Sequence, residues 1–548
     1  MRKSITVAVA AALSALCQTN AFALADAAAS FKTATPIKHV VVIFQENVSF
    51  DHYFGTYPNA LNLTGEPPFT AAKGTPTVNG LTGALLTRNA TLMNATNGSG
   101  ATNPFRLSPA QASTADQDHD YTPEQQAMHG GIVDLYPKYT GAGGNGLGGP
   151  LPANSPAIFS TPGLVMGYYD GNTVTAMWNY AQHFALSDNF YDTTYGPSTP
   201  GAINLISGQT NGIAATLNGT SDETDDGNGG LTLISDADPI GDVCSSPTNN
   251  QVVLAGKNIG DLLNAANVSW GFFSGGFELD TVNKNGTTGC KRSTTSAITG
   301  VQKHDYIPHH QPFQYYASTS NPTHARPSSV DAIGNSGDPA NHQYDLADFL
   351  VAAEHGNLPA VSYVKANGFQ DGHAGYSDPL DEQVFITALI DRLQTLPTWQ
   401  STAVIIAYDD SDGWYDHQMP PIVNQSSSPD DALTGTSCGD GKSAALPGPA
   451  AAHVQGRCGY GPRLPLLVIS PYAKPNYVDH ALTDQTSILR FVEDNWLGGQ
   501  RIGGGSFDTI AGSINGMFDF TAPTNGTLFL DQNGEPAGYY FSGYYFGP

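Results

Sequence analysis

Two adjacent carboxylates, Asp409-Asp410, follow directly on one apolar run, and an acid–amide pair, Glu46-Asn47, follows another. Like charges side by side raise each other's pKa unless a cation compensates them. Oxygens drawn from Glu46, Asn47, Asp409 and Asp410 make a hard set suited to one divalent ion, and calcium, magnesium, manganese and zinc are all admissible. The plainer alternative is that Asp409-Asp410-Ser-Asp412-Gly413 is an acidic turn closed by Asx hydrogen bonds. Ser198 stands between Pro197 and Thr199-Pro200, ahead of Ala202-Ile-Asn-Leu-Ile206. That puts its hydroxyl near a helix N-terminus, where free amides and the helix dipole favour an anion such as phosphate. Metal coordination would activate the hydroxyl for attack, whereas the alternative is a simple helix cap. The Gly-x-Ser-x-Gly elbow is absent around Ser198, which argues against a serine-hydrolase triad. His119, His309, His310 and His373 lie in turn-rich stretches without hydrophobic periodicity. Singly each would pass for a surface histidine. Together they offer positive charge and proton donors to an oxyanion, best below neutral pH.

The elements that must hold these groups alternate along the chain. His39–Phe44 is a short β-branched run of the kind buried on both faces of a central strand, and Ala185–Tyr191 is a weaker strand. Phe385, Leu389 and Leu393 recur at a spacing of four, so a helix is predicted over Asp381–Leu396, ending before Pro397. Thr402–Tyr408 and Leu464–Ser470 read as further buried strands, and Asp484 caps a closing helix that runs to Trp496. Strand, helix and strand in succession predict an α/β fold, a mixed and mainly parallel sheet sandwiched by helices. In such sheets ligands bind outside the carboxyl ends of the strands, where Glu46-Asn47, Asp409-Asp410 and the Ser198 turn all fall. Residues 60–115, 130–155, 210–250 and 420–455 show no periodicity and read as loop insertions. The aromatic, Gly-rich stretch after Phe520 is expected to form short strands on the main body.

Composition narrows the classes. The chain has 548 residues, 40% of them hydrophobic, enough for a sizeable core, and 61 glycines and 37 prolines make it rich in loops. A formal charge of −26 repels phosphate backbones, so no nucleic-acid partner is expected. Residues 1–25 read as a signal peptide, with Arg2-Lys3, an apolar run and small residues at Ala21-Phe-Ala23 and Ala23-Leu-Ala25. No later stretch is long and apolar enough for an integral membrane segment, so a secreted or periplasmic protein is expected. Export leaves Cys244, Cys290, Cys438 and Cys458. Pairs Cys244–Cys290 and Cys438–Cys458 would staple two long loops, but four cysteines allow three pairings.

Lys38-His-Val-Val-Val-Ile-Phe-Gln-Glu-Asn47, followed by Ser49-Phe-Asp-His-Tyr-Phe-Gly55, resembles the opening signature of the bacterial phosphoesterase family. The Asp-x-Asp-His segment, Gly196-Pro-Ser198-Thr-Pro200, His309-His310 and Tyr408-Asp-Asp-Ser-Asp-Gly-Trp-Tyr-Asp-His417 match it in order, as do Gly461-Pro-Arg-Leu-Pro465 and Ser470-Pro-Tyr472. That family comprises secreted acid phosphatases and phospholipases C, with a fold similar to alkaline phosphatase. The resemblance spans roughly Pro36 to Trp496, and a single phosphoesterase domain with insertions is expected over 26–548. The resemblance also implies a metal ion on Glu46, Asn47, Asp409 and Asp410, with Ser198 as nucleophile and fifth ligand. His119, His309, His310 and His373 would surround the phosphoryl oxygens, and His310 would protonate the leaving group. The turn Ser198-Thr-Pro-Gly201 lacks the Pro-Asn-Arg that typically follows the nucleophile of the phospholipases. The expected activity is therefore that of a metal-dependent acid phosphatase acting on small phosphomonoesters. The alternative is a phospholipase C acting on lipid head groups, and a lesser one is a non-catalytic secreted binding protein.

Overall fold

The computed structural model describes residues 26–146, 151–152, 155–433, 438, 454–524 and 526–538. The β-branched run after Lys38 forms strand β1 (His39–Gln45), buried along its whole length. With it lie β2 (Ala185–Tyr191), β3 (Trp270–Ser274), β4 (Gln343–Asp345), β5 (Val361–Lys365) and β6 (Thr402–Tyr408). β7 (Arg463–Ile469), β8 (Tyr477–Asp479) and β9 (Thr483–Asp484) follow. All nine join one sheet in the order β4-β3-β5-β1-β6-β7-β2-β8, with β9 also on β2. β7 runs antiparallel to β6 and β2, while the other pairings are parallel, so the sheet is mixed and mainly parallel as expected. The central strands are buried at every position, which requires cover on both faces.

Seven helices matter below: α1 (Phe50–Phe54), α2 (Tyr121–Ala127), α3 (Thr175–His183), α4 (Ser198–Ser207), α5 (Leu346–His355), α6 (Pro379–Gln394) and α7 (Gln485–Trp496). α6 begins two residues before its predicted start, because Asp378 accepts from the amides of Leu380 and Asp381 and Pro379 fits the first turn. α7 is capped by Asp484, which accepts from Thr486 N, as predicted. β7 lies one residue earlier than predicted, since Arg463 pairs with Tyr191 at its start. β3, β4, β5 and α5 carry no prediction from the sequence and complete one half of the sheet.

The insertions are not structureless. Residues 60–115 contain short helical turns and a two-residue strand, Phe105–Arg106, paired with Gly167–Tyr168. The tail departs from the expectation of strands. Among its described residues there is only an isolated bridge, Leu530 to Pro536, and 539–548 lie outside the described residues, as does the predicted signal peptide. Cys244 bonds to Cys290 and Cys438 to Cys458. Among the described residues no helix is long and apolar enough to cross a membrane.

Candidate active site

β1 and β6 pair in parallel without a slip, from His39 opposite Thr402 to Gln45 opposite Tyr408. Their carboxyl ends therefore deliver Glu46-Asn47 and Asp409-Asp410 side by side. β5 flanks β1 on the other side, with Ile43 opposite Val364, and so ends at Lys365 beside the same spot. Asn47 turns the chain there with φ of 57°, a left-handed conformation that asparagine tolerates. Its amide N–H donates to Asp409 Oδ1 at 3.0 Å, and its side-chain Nδ2 donates to Asp412 Oδ1 at 3.1 Å.

Ser198 is the first residue of α4. Pro197 occupies the cap position, and the serine side chain does not cap its own helix. Its Oγ instead points at the strand ends, 3.2 Å from Glu46 Oε2, 3.2 Å from Asp410 Oδ2 and 3.4 Å from Asn47 Oδ1. One hydroxyl proton can serve only one of three acceptors, so oxygens from distant parts of the chain converge without enough protons to link them. Asp409 completes the group. Among the described residues its Oδ2 is buried with no hydrogen-bond partner, 3.8 Å from Lys365 Nζ. Burial and then the neighbouring Glu46 push the Asp409 carboxyl well above its ordinary range. Burial does the same to Asp410, helped by Asp409 and opposed by His119. An orphaned carboxylate oxygen among buried acids is a chemistry that a divalent cation satisfies, so these residues fit the expected ion.

Two groups were not singled out from the sequence. Lys365 forms a short ion pair with Glu46 Oε1. Burial would raise the Glu46 carboxyl, but His310 and Lys365 beside it hold it well below its ordinary range. The available signal was the buried run Val361–Val364 ending in a charge. Asp371 is the second: Tyr376 donates to its Oδ2 at 3.0 Å, and Glu46 N donates to its backbone carbonyl at 2.8 Å.

The histidines divide. His119 Nε2 lies 3.3 Å from Asn47 Nδ2, and its ring is 5.9 Å from that of His373. Burial opposes charge on His119, but Asp410, Asp412 and Asp116 hold its pKa well above the usual value. His309 and His310 are neighbours, with ring centroids 4.5 Å apart. His310, expected to protonate the leaving group, turns its Nδ1 to Glu46 Oε1 at 3.0 Å. Burial, against the pull of Glu46, pushes it down to about 3. His309 has the opposite balance: burial opposes its charge, but Asp236 and Asp238 raise it. The groups whose acid and imidazole atoms come within 4.8 Å of one another include Glu46-His310-Asp371 and Asp116-His119-His373-Asp412, both walls of this site.

The Phosphoesterase family profile matches residues 37–497. The chain is similar to a non-hemolytic phospholipase C of Pseudomonas aeruginosa, 24% identical over 502 residues that cover 89% of this chain and 58% of that protein. It is also similar to phospholipase C A of Mycobacterium tuberculosis, 23% identical over 503 residues covering 90% and 79%. The chain thus spans less than two thirds of the length of the Pseudomonas protein. Among solved structures, an alkaline phosphatase superfamily protein from Vibrio parahaemolyticus aligns at 12% identity with a TM-score of 0.26, covering 59% of this chain and 60% of that one. Matched from its first central strand to the end of α7, the chain belongs to the Phosphoesterase family, a family of phosphoric ester hydrolases.

Proposed function

We propose that the chain hydrolyses phosphoric esters with Ser198 as the nucleophile. One observation carries the reading: the Ser198 hydroxyl leaves its own helix uncapped and meets oxygens of Glu46, Asn47 and Asp410 within 3.4 Å. Glu46, Asn47, Asp409 and Asp410 would hold a divalent cation, which when bound would supply the charge that favours the Ser198 alkoxide. Ser198 Oγ then forms a bond to phosphorus as the bond to the ester oxygen breaks, and the leaving oxygen takes a proton from His309. Water afterwards attacks phosphorus, giving a proton back to His309, as the bond from phosphorus to Ser198 Oγ breaks and the phosphoryl product leaves. His119 places positive charge, and His373, whose charge burial disfavours, an N–H donor at the phosphoryl oxygens, where positioning and electrostatics do most of the work. His310 orients Glu46.

The relatives carry the name phospholipase C, which favours a phosphodiester over the phosphomonoester that the motifs suggest. The monoester reading keeps one observation in its favour, the turn Ser198-Thr-Pro-Gly201 without an arginine. Two disulfides suit an oxidising compartment outside the cytoplasm. Purified protein is to be assayed with a chromogenic phosphomonoester and with a phosphorylcholine ester, before and after chelation and metal restoration. Turnover of either ester, lost with chelator and lost in Ser198→Ala by about a thousandfold or more, is the expected result. Near wild-type turnover in Ser198→Ala would refute the nucleophile.

A further inference from the structure

A cavity of about 620 Å³ adjoins the catalytic histidines, and His309 lies in its wall. Its other wall carries Lys291, Lys303 and His304, in a chain that has only 22 lysines and arginines against 48 acids. Such a gathering of cations on an acidic protein focuses a local positive potential. The acid in that lining, Asp238, is already engaged: it lies 3.5 Å from His309 Nδ1 and accepts from Ser246 N and Asn249 Nδ2. Lys303 Nζ rests 3.6 Å from the centroid of the Tyr376 ring; Asp371, Glu46, Asp116 and Asp236 are near enough to favour its charge, but among the described residues no carboxylate forms an ion pair with Lys291, Lys303 or His304. Tyr376 in turn stacks on His373 at 4.3 Å, so Lys303 sits where the cavity meets the site. The wall is also held in place. Lys303 and His304 lie on a ribbon of Gln302–His304 against Ser293–Thr295, and the Cys244–Cys290 bond ties Lys291 to the insertion that forms the floor.

We propose that this cavity is a leaving-group subsite for esters whose alcohol carries an anionic group of its own, such as a second phosphate. The assignment rests on the reading of Ser198 as the nucleophile. Lys303 and Lys291 would bind the distal anion while His309 faces the scissile oxygen, so the cavity selects by charge on the departing alcohol.

The test compares 4-sulfophenyl with 4-sulfamoylphenyl esters of whichever phosphoryl group the enzyme accepts, since the two leaving groups differ in charge but little in electronic demand. The wild-type protein is expected to prefer the sulfonate by about fivefold or more in kcat/KM. That ratio should fall towards one in Lys303→Gln, in Lys291→Gln with its exposed side chain, and in about 1 M sodium chloride, where the screening length is about 3 Å. Because the readout is a ratio within each variant, a general loss of activity does not imitate it. A wild-type ratio at or below one, or a ratio that both substitutions leave unchanged, overturns the subsite. Turnover of neither ester overturns the nucleophile reading itself, and the subsite with it.

Discussion

Lys365 shows how one side chain sets the charge of the site. Its ammonium pairs with Glu46 Oε1, to which His310 also turns its Nδ1, and this pairing keeps the Glu46 carboxyl ionised against the cost of burial. Removing one partner of a buried ion pair leaves the other uncompensated, which typically costs about 3–5 kcal/mol. Lys365→Met is therefore expected to lower the unfolding free energy measured in urea by that order and to cut kcat about a hundredfold or more, since a displaced Glu46 carboxylate no longer meets Ser198. Bound metal, measured on the purified variant, should fall as well. Lys365→Arg keeps the charge and should fall between. A Lys365→Met protein with kcat within about twofold of wild type would show that Glu46 needs no such partner.

The elements contribute precision of placement. β1 and β6 align their ends through seven register pairs, and α4 comes down on the exit of β6 with Gly201 pressed against Asp409. A Cβ built on Gly201 would stand 2.0 Å from the Asp409 carbonyl oxygen. That atom is backbone of the site itself, so the only relief is for the helix to withdraw, carrying Ser198 away from Glu46 and Asp410. A shift of about 1 Å can cost about a hundredfold in rate. Gly201→Ala is thus expected to lose roughly that much activity with its far-ultraviolet circular dichroism unchanged. Helix propensity alone favours alanine by about 1 kcal/mol, so a more stable and fully active Gly201→Ala protein would contradict the close approach.

Across the whole molecule, buried acids bias the fold towards acidic pH. Burial pushes Glu124 up to about 8, Glu382 to about 7 and Asp484 to about 6. An acid whose pKa is higher in the folded state than in the unfolded chain binds its proton more tightly when folded. Its contribution is full below about pH 4 and is lost as pH rises through the folded values. Self-repulsion of a chain with a formal charge of −26 adds in the same direction. The melting temperature is therefore expected to drop by several degrees between about pH 5 and pH 9. A melting temperature that holds level or climbs over that range would contradict the burial of these carboxyls.

Local physics is written locally, and that part could be read without coordinates. A β-branched run such as Val40–Phe44, a helix spacing such as Phe385-Leu389-Leu393 and a cap such as Asp484 act through neighbours a few residues away. Polar residues directly after buried strands marked Glu46, Asn47, Asp409 and Asp410, and the proline-bounded turn marked Ser198. Which oxygens face one another depends instead on contacts between residues far apart in the chain, 152 positions for Ser198 and Glu46 and 319 for Lys365 and Glu46. Strand order put β5 beside β1 and so brought in Lys365, and the fold set His310 Nδ1 against Glu46. The pairing of the four cysteines, which sequence left open among three schemes, was likewise settled by where the loops pack. Spacing along the chain carries no record of these choices, because they are made by the register of the sheet and by the desolvation of charges that only the closed fold brings together.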